Sequence, residues 1–291
     1  MLQFNCSGCG SDDEHIEFKE EEKQETNVKF DPDAMNEIIA SFSSPVEMAA
    51  TIQNSGVPFS TKYLINPEVT DNYTTSFKKA LGLGFLSADL GYLNVYSKTS
   101  QILEYLVAIR KISEDLKVGQ FFDFALLKRL ATTAENIDSL LIMSVQSYQN
   151  MDEHLRNNQR SNLSALLVTG VWIESLYLIT QVSKEVDNPE LKDRIGEQKN
   201  ILKNLLPILK LFQGKEYEQL VQYLEELDNV YDFVKISYEE GETETKTYID
   251  SYGQEQTVIC QGGQSVISMT NEELQEIITT TEKIRNKLIA L

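Results

Sequence analysis

The stretch from Leu163 to Val182 constrains this chain more than any other, because it is apolar on nearly every face of the helix that its pattern predicts. A helix that is hydrophobic all round has to be enclosed by protein or by lipid. At the helical period Glu174 falls on the same arc as Leu163, Leu167, Gly170, Tyr177 and Leu178, with no solvated stripe to point into. The stretch is long enough to span a bilayer, but a carboxylate near the bilayer centre costs about 3 kcal/mol, and Thr169, Ser175, Thr180 and Gln181 surround it. It is therefore read as the central helix of a bundle, with Glu174 compensated by Arg110, Arg129 or a tyrosine hydroxyl. If that role is only structural, Glu174→Gln should change stability by about 1 kcal/mol and Glu174→Leu by more.

The rest of the chain supplies helices to surround it. Asp31-Pro32, Ser44-Pro45, Asn66-Pro67 and Asn188-Pro189 each put a capping side chain before a proline at a helix entrance. Ser44 with Glu47, Thr132 with Glu135, and Thr270 with Glu273 have the spacing of capping boxes. Short helices are expected near 33–42 and 45–54. Between Pro67 and Lys117, Ala80, Gly84 and Ala88, with Ser87 and Gly91, recur at four-residue spacing, which lets another helix approach closely; Gly170 is the expected partner. Ile102, Tyr105, Leu106, Ile109, Ile112 and Leu116 form an apolar stripe that Gly119 ends. A short helix over 121–130, a longer one carrying Ile137 to Leu155, and a hairpin of helices after Pro189 follow, with a kink expected at Pro207. From Gly241 to Ser268 the period changes from helical to two-residue. Tyr252-Gly253 and Gly262-Gly263 read as turns of a small β-insertion, and Tyr248 and Tyr252 on it are candidate partner contacts.

The fold class predicted is all-α: an irregular bundle of about eight to ten helices around a buried central helix, with a small β-hairpin insertion. Residues 31–291 form the helical domain, and residues 1–30 form an acidic tether too poor in apolar groups to order itself.

Charge and residue types exclude several functions. With 26 Lys and Arg against 45 Asp and Glu, the net charge is -19, and no basic stripe is present to replace phosphate counterions, so nucleic acid is not an expected partner. Two histidines and three cysteines without ligand spacing argue against a metal site, and no cofactor is expected. The chain has no phosphate loop, dinucleotide fingerprint, nucleophile elbow or His-Glu-x-x-His helix. Asp89, Glu104, Asp138 and Glu174 could meet in a bundle, but a di-iron centre needs Glu-x-x-His pairs, which are missing. Asp89, spaced helically between Phe85 and Tyr92, reads as a satisfied polar residue or a surface position. No catalytic residue is assigned.

Near the start, Ser7-Gly8 precedes Cys9, the small residues that a lipoprotein signal peptidase accepts beside a cysteine to be lipidated. Cys6 stands where an aliphatic residue is usual, and the basic region and apolar run of a signal peptide are missing, which leaves the true translation start open. The run Cys9-Gly10-Ser11-Asp12-Asp13-Glu14 resembles the acidic tag behind the lipidated cysteine in surface lipoproteins of Bacteroidetes-type bacteria.

Gly84-Phe85-Leu86-Ser87-Ala88-Asp89, the stripe beyond Tyr96, and Gly170-Val171-Trp172-Ile173-Glu174-Ser175-Leu176-Tyr177 resemble a family of all-helical, functionally uncharacterised lipoproteins from the same group. The resemblance covers Leu81 to Val182 and brings no catalytic motif. It implies an address at the bacterial cell envelope, attached to the outer membrane, with membrane contact through the lipid on Cys9 only. Two functional classes follow: an anchored protein with a binding or structural role toward an unknown protein or small molecule, and a small-molecule binder or enzyme whose interior pocket is lined by Glu174, Trp172, Tyr177 and Asp89.

Overall fold

The computed structural model describes residues 45–133, 137–249 and 255–290. The segment bearing Cys9, the helix expected near 33–42, and Tyr252 lie outside them, as do Ser44 and Glu135, one member each of two expected capping boxes.

The predicted all-α architecture is what the chain adopts. Helices α1 (Pro45–Asn54), α2 (Ser76–Val95), α3 (Thr99–Asp115), α4 (Phe124–Thr133), α5 (Ile137–Asn157), α6 (Ser161–Ser183), α7 (Pro189–Leu209) and α8 (Lys215–Tyr231) precede one hairpin of β1 (Lys235–Ile249) and β2 (Glu255–Ser268), and α9 (Asn271–Ile289) follows it. The central helix is α6. It is long and apolar enough to cross a membrane, yet its apolar window is wholly buried by the surrounding protein. Helices α1, α2, α5, α7 and α9 all pack on it, and the buried apolar side chains join in one core.

The closest of these contacts is between α2 and α6, and glycine makes it possible. A Cβ added to Gly84 would stand 2.6 Å from the Val171 amide nitrogen and 2.8 Å from the Gly170 Cα, while one added to Gly170 would stand 3.2 Å from the Gly84 Cα. All three opposing atoms are backbone, so none can move aside cheaply. Gly84→Ala is expected to lower stability by about 1–3 kcal/mol through overpacking, measurable by urea unfolding; an unchanged midpoint would show that the helices part without cost.

Proline and capping residues set the boundaries, with three departures from the expected pattern. Asn66 caps only the 3-10 turn Pro67–Asn72, and the α-helix waits for Thr75, whose side chain accepts from the Lys78 amide. Asn188 caps α7, and Thr270 with Glu273 forms a complete capping box on α9. Helix α4 begins at Phe124 rather than 121, because a 3-10 turn over Gly119–Phe121 comes first. Pro207 falls in the final turn of α7, which stops at Leu209. Its missing N–H removes the bond to the Lys203 carbonyl in that last turn, two residues before the helix stops.

The β-insertion is a single antiparallel hairpin that starts earlier than the change of sequence period, at Lys235 paired with Ser268. Gly262-Gly263 is not a turn. Gly263 pairs with Glu240 inside the ladder, where the register shifts between Glu240 and Thr243, and glycine suits the irregular backbone of such a bulge. The hairpin base is seated on α7: Gly196 leaves room for the Ile267 side chain, Ile236 and Ile267 pack against the core, and Lys199 Nζ donates to the Val234 carbonyl at 2.7 Å.

Candidate functional site

Glu174 is completely buried on α6, and its partner is Arg285 of α9, not Arg110 or Arg129. Arg285 Nε donates to Oε2 at 2.9 Å and Nη2 to Oε1 at 2.7 Å, a two-point fork matched to the carboxylate. The same Nη2 also donates to the Tyr63 carbonyl at 3.1 Å, and the guanidinium carbon lies 4.2 Å from the centre of the Tyr177 ring. Arg110 instead pairs with Glu114 on the surface, and Arg129 is exposed.

Asp89 of α2 joins this cluster and is also fully buried. Its Oδ2 accepts from the Ile65 amide at 2.9 Å, its Oδ1 is buried without a donor, and the two carboxyl groups are near enough to share a hydrogen bond. Two acids and one guanidinium would carry a net negative charge into the core, which is costly unless a proton is retained. The proton belongs on Asp89. Glu174 has both oxygens on the guanidinium, while Asp89 has an oxygen with no donor and can donate to Glu174.

The electrostatics agree with this placement. Burial, followed by the charge of Glu174, pushes the Asp89 carboxyl well above the usual carboxylate range. Burial also raises Glu174, against the opposing pull of Arg285. Burial disfavours the Arg285 charge, but Glu174 and Asp89 outweigh it and hold the guanidinium protonated. Tyr73, desolvated and facing Glu174, is pushed up to about 12 and stays neutral.

The network's remaining bonds go to a loop. Tyr105 of α3 donates to the Ile65 carbonyl, Asp89 takes the Ile65 amide, and Arg285 holds the Tyr63 carbonyl, so three helices fasten residues 63–65 through their backbone. Upstream, Gly56 has a φ of 80°, a left-handed conformation that favours glycine as the chain leaves α1. Tyr96 then donates to the Val57 carbonyl at 2.7 Å and Tyr92 accepts from the Ser60 amide at 3.1 Å. Phe59 stacks on Tyr92 with ring centres 5.5 Å apart and has Lys98 Nζ 4.7 Å from its own centre.

This fastened loop forms one wall of a cleft of about 480 Å³, whose lining includes Val57, Phe59, Lys62, Tyr63, Glu185 and Val186. Tyr63 connects the two regions, its carbonyl on Arg285 and its hydroxyl donating to Glu185 Oε1 at 3.3 Å.

Of the four residues expected around an interior pocket, Glu174, Asp89 and Tyr177 come together and Trp172 does not. Trp172 stands two residues before Glu174, about 200° around the helix, and donates Nε1 to Gln198 Oε1 of α7 at 3.1 Å. Neither the cleft nor a small cavity between Tyr148 and Ser164 is lined by any of the four. Tyr248 pairs through its backbone with Gln256 along the hairpin. Among the described residues, no group of three or more His, Cys, Asp or Glu is placed to hold a metal ion.

Arg285 was missed by sequence reasoning, although a signal existed. Ile278, Thr281, Arg285 and Leu288 recur at helical spacing on the inward stripe of α9, where a cation needs a buried acid to accept it. No protein family, curated protein or solved structure matches the chain.

Proposed function

We propose that this chain is a binding protein of the bacterial cell envelope, held at the membrane by a lipid on Cys9 and presenting a preset cleft rather than a reaction centre. The observation that carries the binding reading is the destination of the buried network's hydrogen bonds. Arg285 holds the Tyr63 carbonyl while Asp89 and Tyr105 hold the Ile65 backbone, which ties down the end of the loop that forms one wall of the cleft before any ligand arrives. The anchor reading rests on Ser7-Gly8-Cys9 and the acidic run behind it, together with the resemblance of Leu81 to Val182 to helical lipoproteins. In this reading the outer membrane is met through the lipid alone, since a protein of net charge -19 is repelled by anionic headgroups.

Expression from the natural gene in a host that processes lipoproteins provides the test. Fatty-acid label should enter the protein and the protein should sediment with membranes, and Cys9→Ala should abolish both. A wild-type protein that takes up no label would overturn the anchor.

A further inference from the structure

The cleft combines features that complement one chemical class. Its lining includes one carboxylate, Glu185, one ammonium, Lys62, and the apolar surfaces of Val57, Phe59 and Val186. Both charged side chains are exposed. Among the described residues, Glu185 is held by the neutral Tyr63 hydroxyl and by no cation. A ligand with an ammonium, a carboxylate and an apolar body would engage all of these groups together, each charge meeting its opposite while the apolar body lies against the parts of Phe59 and Val186 that the core leaves open. A ligand with one charge would use one of these side chains and leave the other in water, forgoing one charge-assisted contact. The volume suits a small molecule and exceeds what a single amino-acid side chain needs.

We propose that the cleft between the Gly56–Tyr63 loop and Glu185-Val186 binds a free apolar α-amino acid as its zwitterion, the ammonium on Glu185 and the carboxylate on Lys62. This deepens the binding reading and rests on it. The Tyr63 hydroxyl, already on Glu185, orients the carboxylate for the ligand ammonium, and the buried network keeps Tyr63 in place. The zwitterion also leaves the net charge of the protein unchanged on binding.

The full-length protein labelled with nitrogen-15 tests this with L-leucine as the probe. Amide signals of Gly56, Val57, Phe59 and Tyr63 should shift and saturate. N-acetyl-leucine, which lacks the ammonium, and leucinamide, which lacks the carboxylate, should each bind at least about tenfold more weakly, because each loses one charge-assisted contact. Leucyl-leucine separates the possible sources: binding as tight as that of leucine extends the class to short peptides, and weaker binding confines it to the free amino acid. Glu185→Gln should weaken leucine binding by a similar factor and level the difference between leucine and N-acetyl-leucine; Lys62→Met should do the same toward leucinamide. Both sites are on the surface, and circular dichroism verifies that the variants fold. No shift up to the solubility limit of leucine, binding of either derivative as tight as that of leucine, or shifts unaffected by either substitution would overturn the proposal. Such a failure leaves the fatty-acid labelling result, and hence the anchor, untouched.

Discussion

Glu174→Leu is expected to destabilise the protein by about 3–5 kcal/mol, because it takes the two-point carboxylate partner away from the buried Arg285 guanidinium and leaves Asp89, which does not hold that fork, as the acid that must ionise in the core to balance it. Glu174→Gln, expected from the sequence to change stability by about 1 kcal/mol, should cost about 2–3 kcal/mol. The amide keeps one acceptor, turns an NH₂ toward a guanidinium that can only donate, and removes the charge. The double substitution Glu174→Leu with Arg285→Met should recover most of the loss, since it replaces an ion pair by apolar groups of similar size and forfeits chiefly the bond to the Tyr63 carbonyl. Urea unfolding of the wild type, both single variants and the double variant measures the coupling. A double variant no more stable than Glu174→Leu would show that the fold needs the loop contact itself rather than charge balance.

The second large effect is a dependence on pH. In the unfolded chain Asp89 titrates near its ordinary value of 3.8, and in the folded chain it holds its proton well above that. Between those two values the folded state binds one proton more than the unfolded state, so stability is fully present below the unfolded value and falls as pH rises, by about 1.4 kcal/mol per pH unit, until the folded carboxyl itself ionises. Glu174, also raised in the fold, contributes with the same sign. Asp89→Asn should flatten this slope and make the protein more stable than wild type at neutral pH. The amide imitates the protonated acid: its oxygen accepts from Ile65 and its NH₂ donates to Glu174. Unfolding midpoints from pH 4 to pH 8 decide it, and a wild type and variant with parallel profiles would place the proton elsewhere.

How far the sequence foretold these features depends on whether the signal was local. The central helix was legible because twenty residues without a polar face allow one environment only, and the Gly84–Gly170 contact because small residues at four-residue spacing have few other uses. Asp89 and Glu174 could be singled out as carboxylates on apolar arcs. Their meeting point could not, since it depends on how α2, α6 and α9 are placed in three dimensions. Grouping Trp172 with Glu174 failed on helical geometry that the sequence already contained. The cleft was invisible for a different reason: it is built by a loop whose shape is fixed through backbone bonds, and backbone groups are the same in every sequence.

The distance along the chain between the paired charges affects how the protein is made. Arg285 lies 111 residues after Glu174 and 196 after Asp89, on a helix that leaves the ribosome well after both. Until α9 is synthesised, a nascent chain that has already assembled α2 against α6 carries two buried acids without the guanidinium that pairs with them. Those helices are therefore held back from their final packing, or remain open enough to be recognised by chaperones and proteases, until α9 has emerged. A product terminated before α9 would keep nearly all of the described apolar core residues and still be open to removal, because the guanidinium that pairs with Glu174 arrives only with α9.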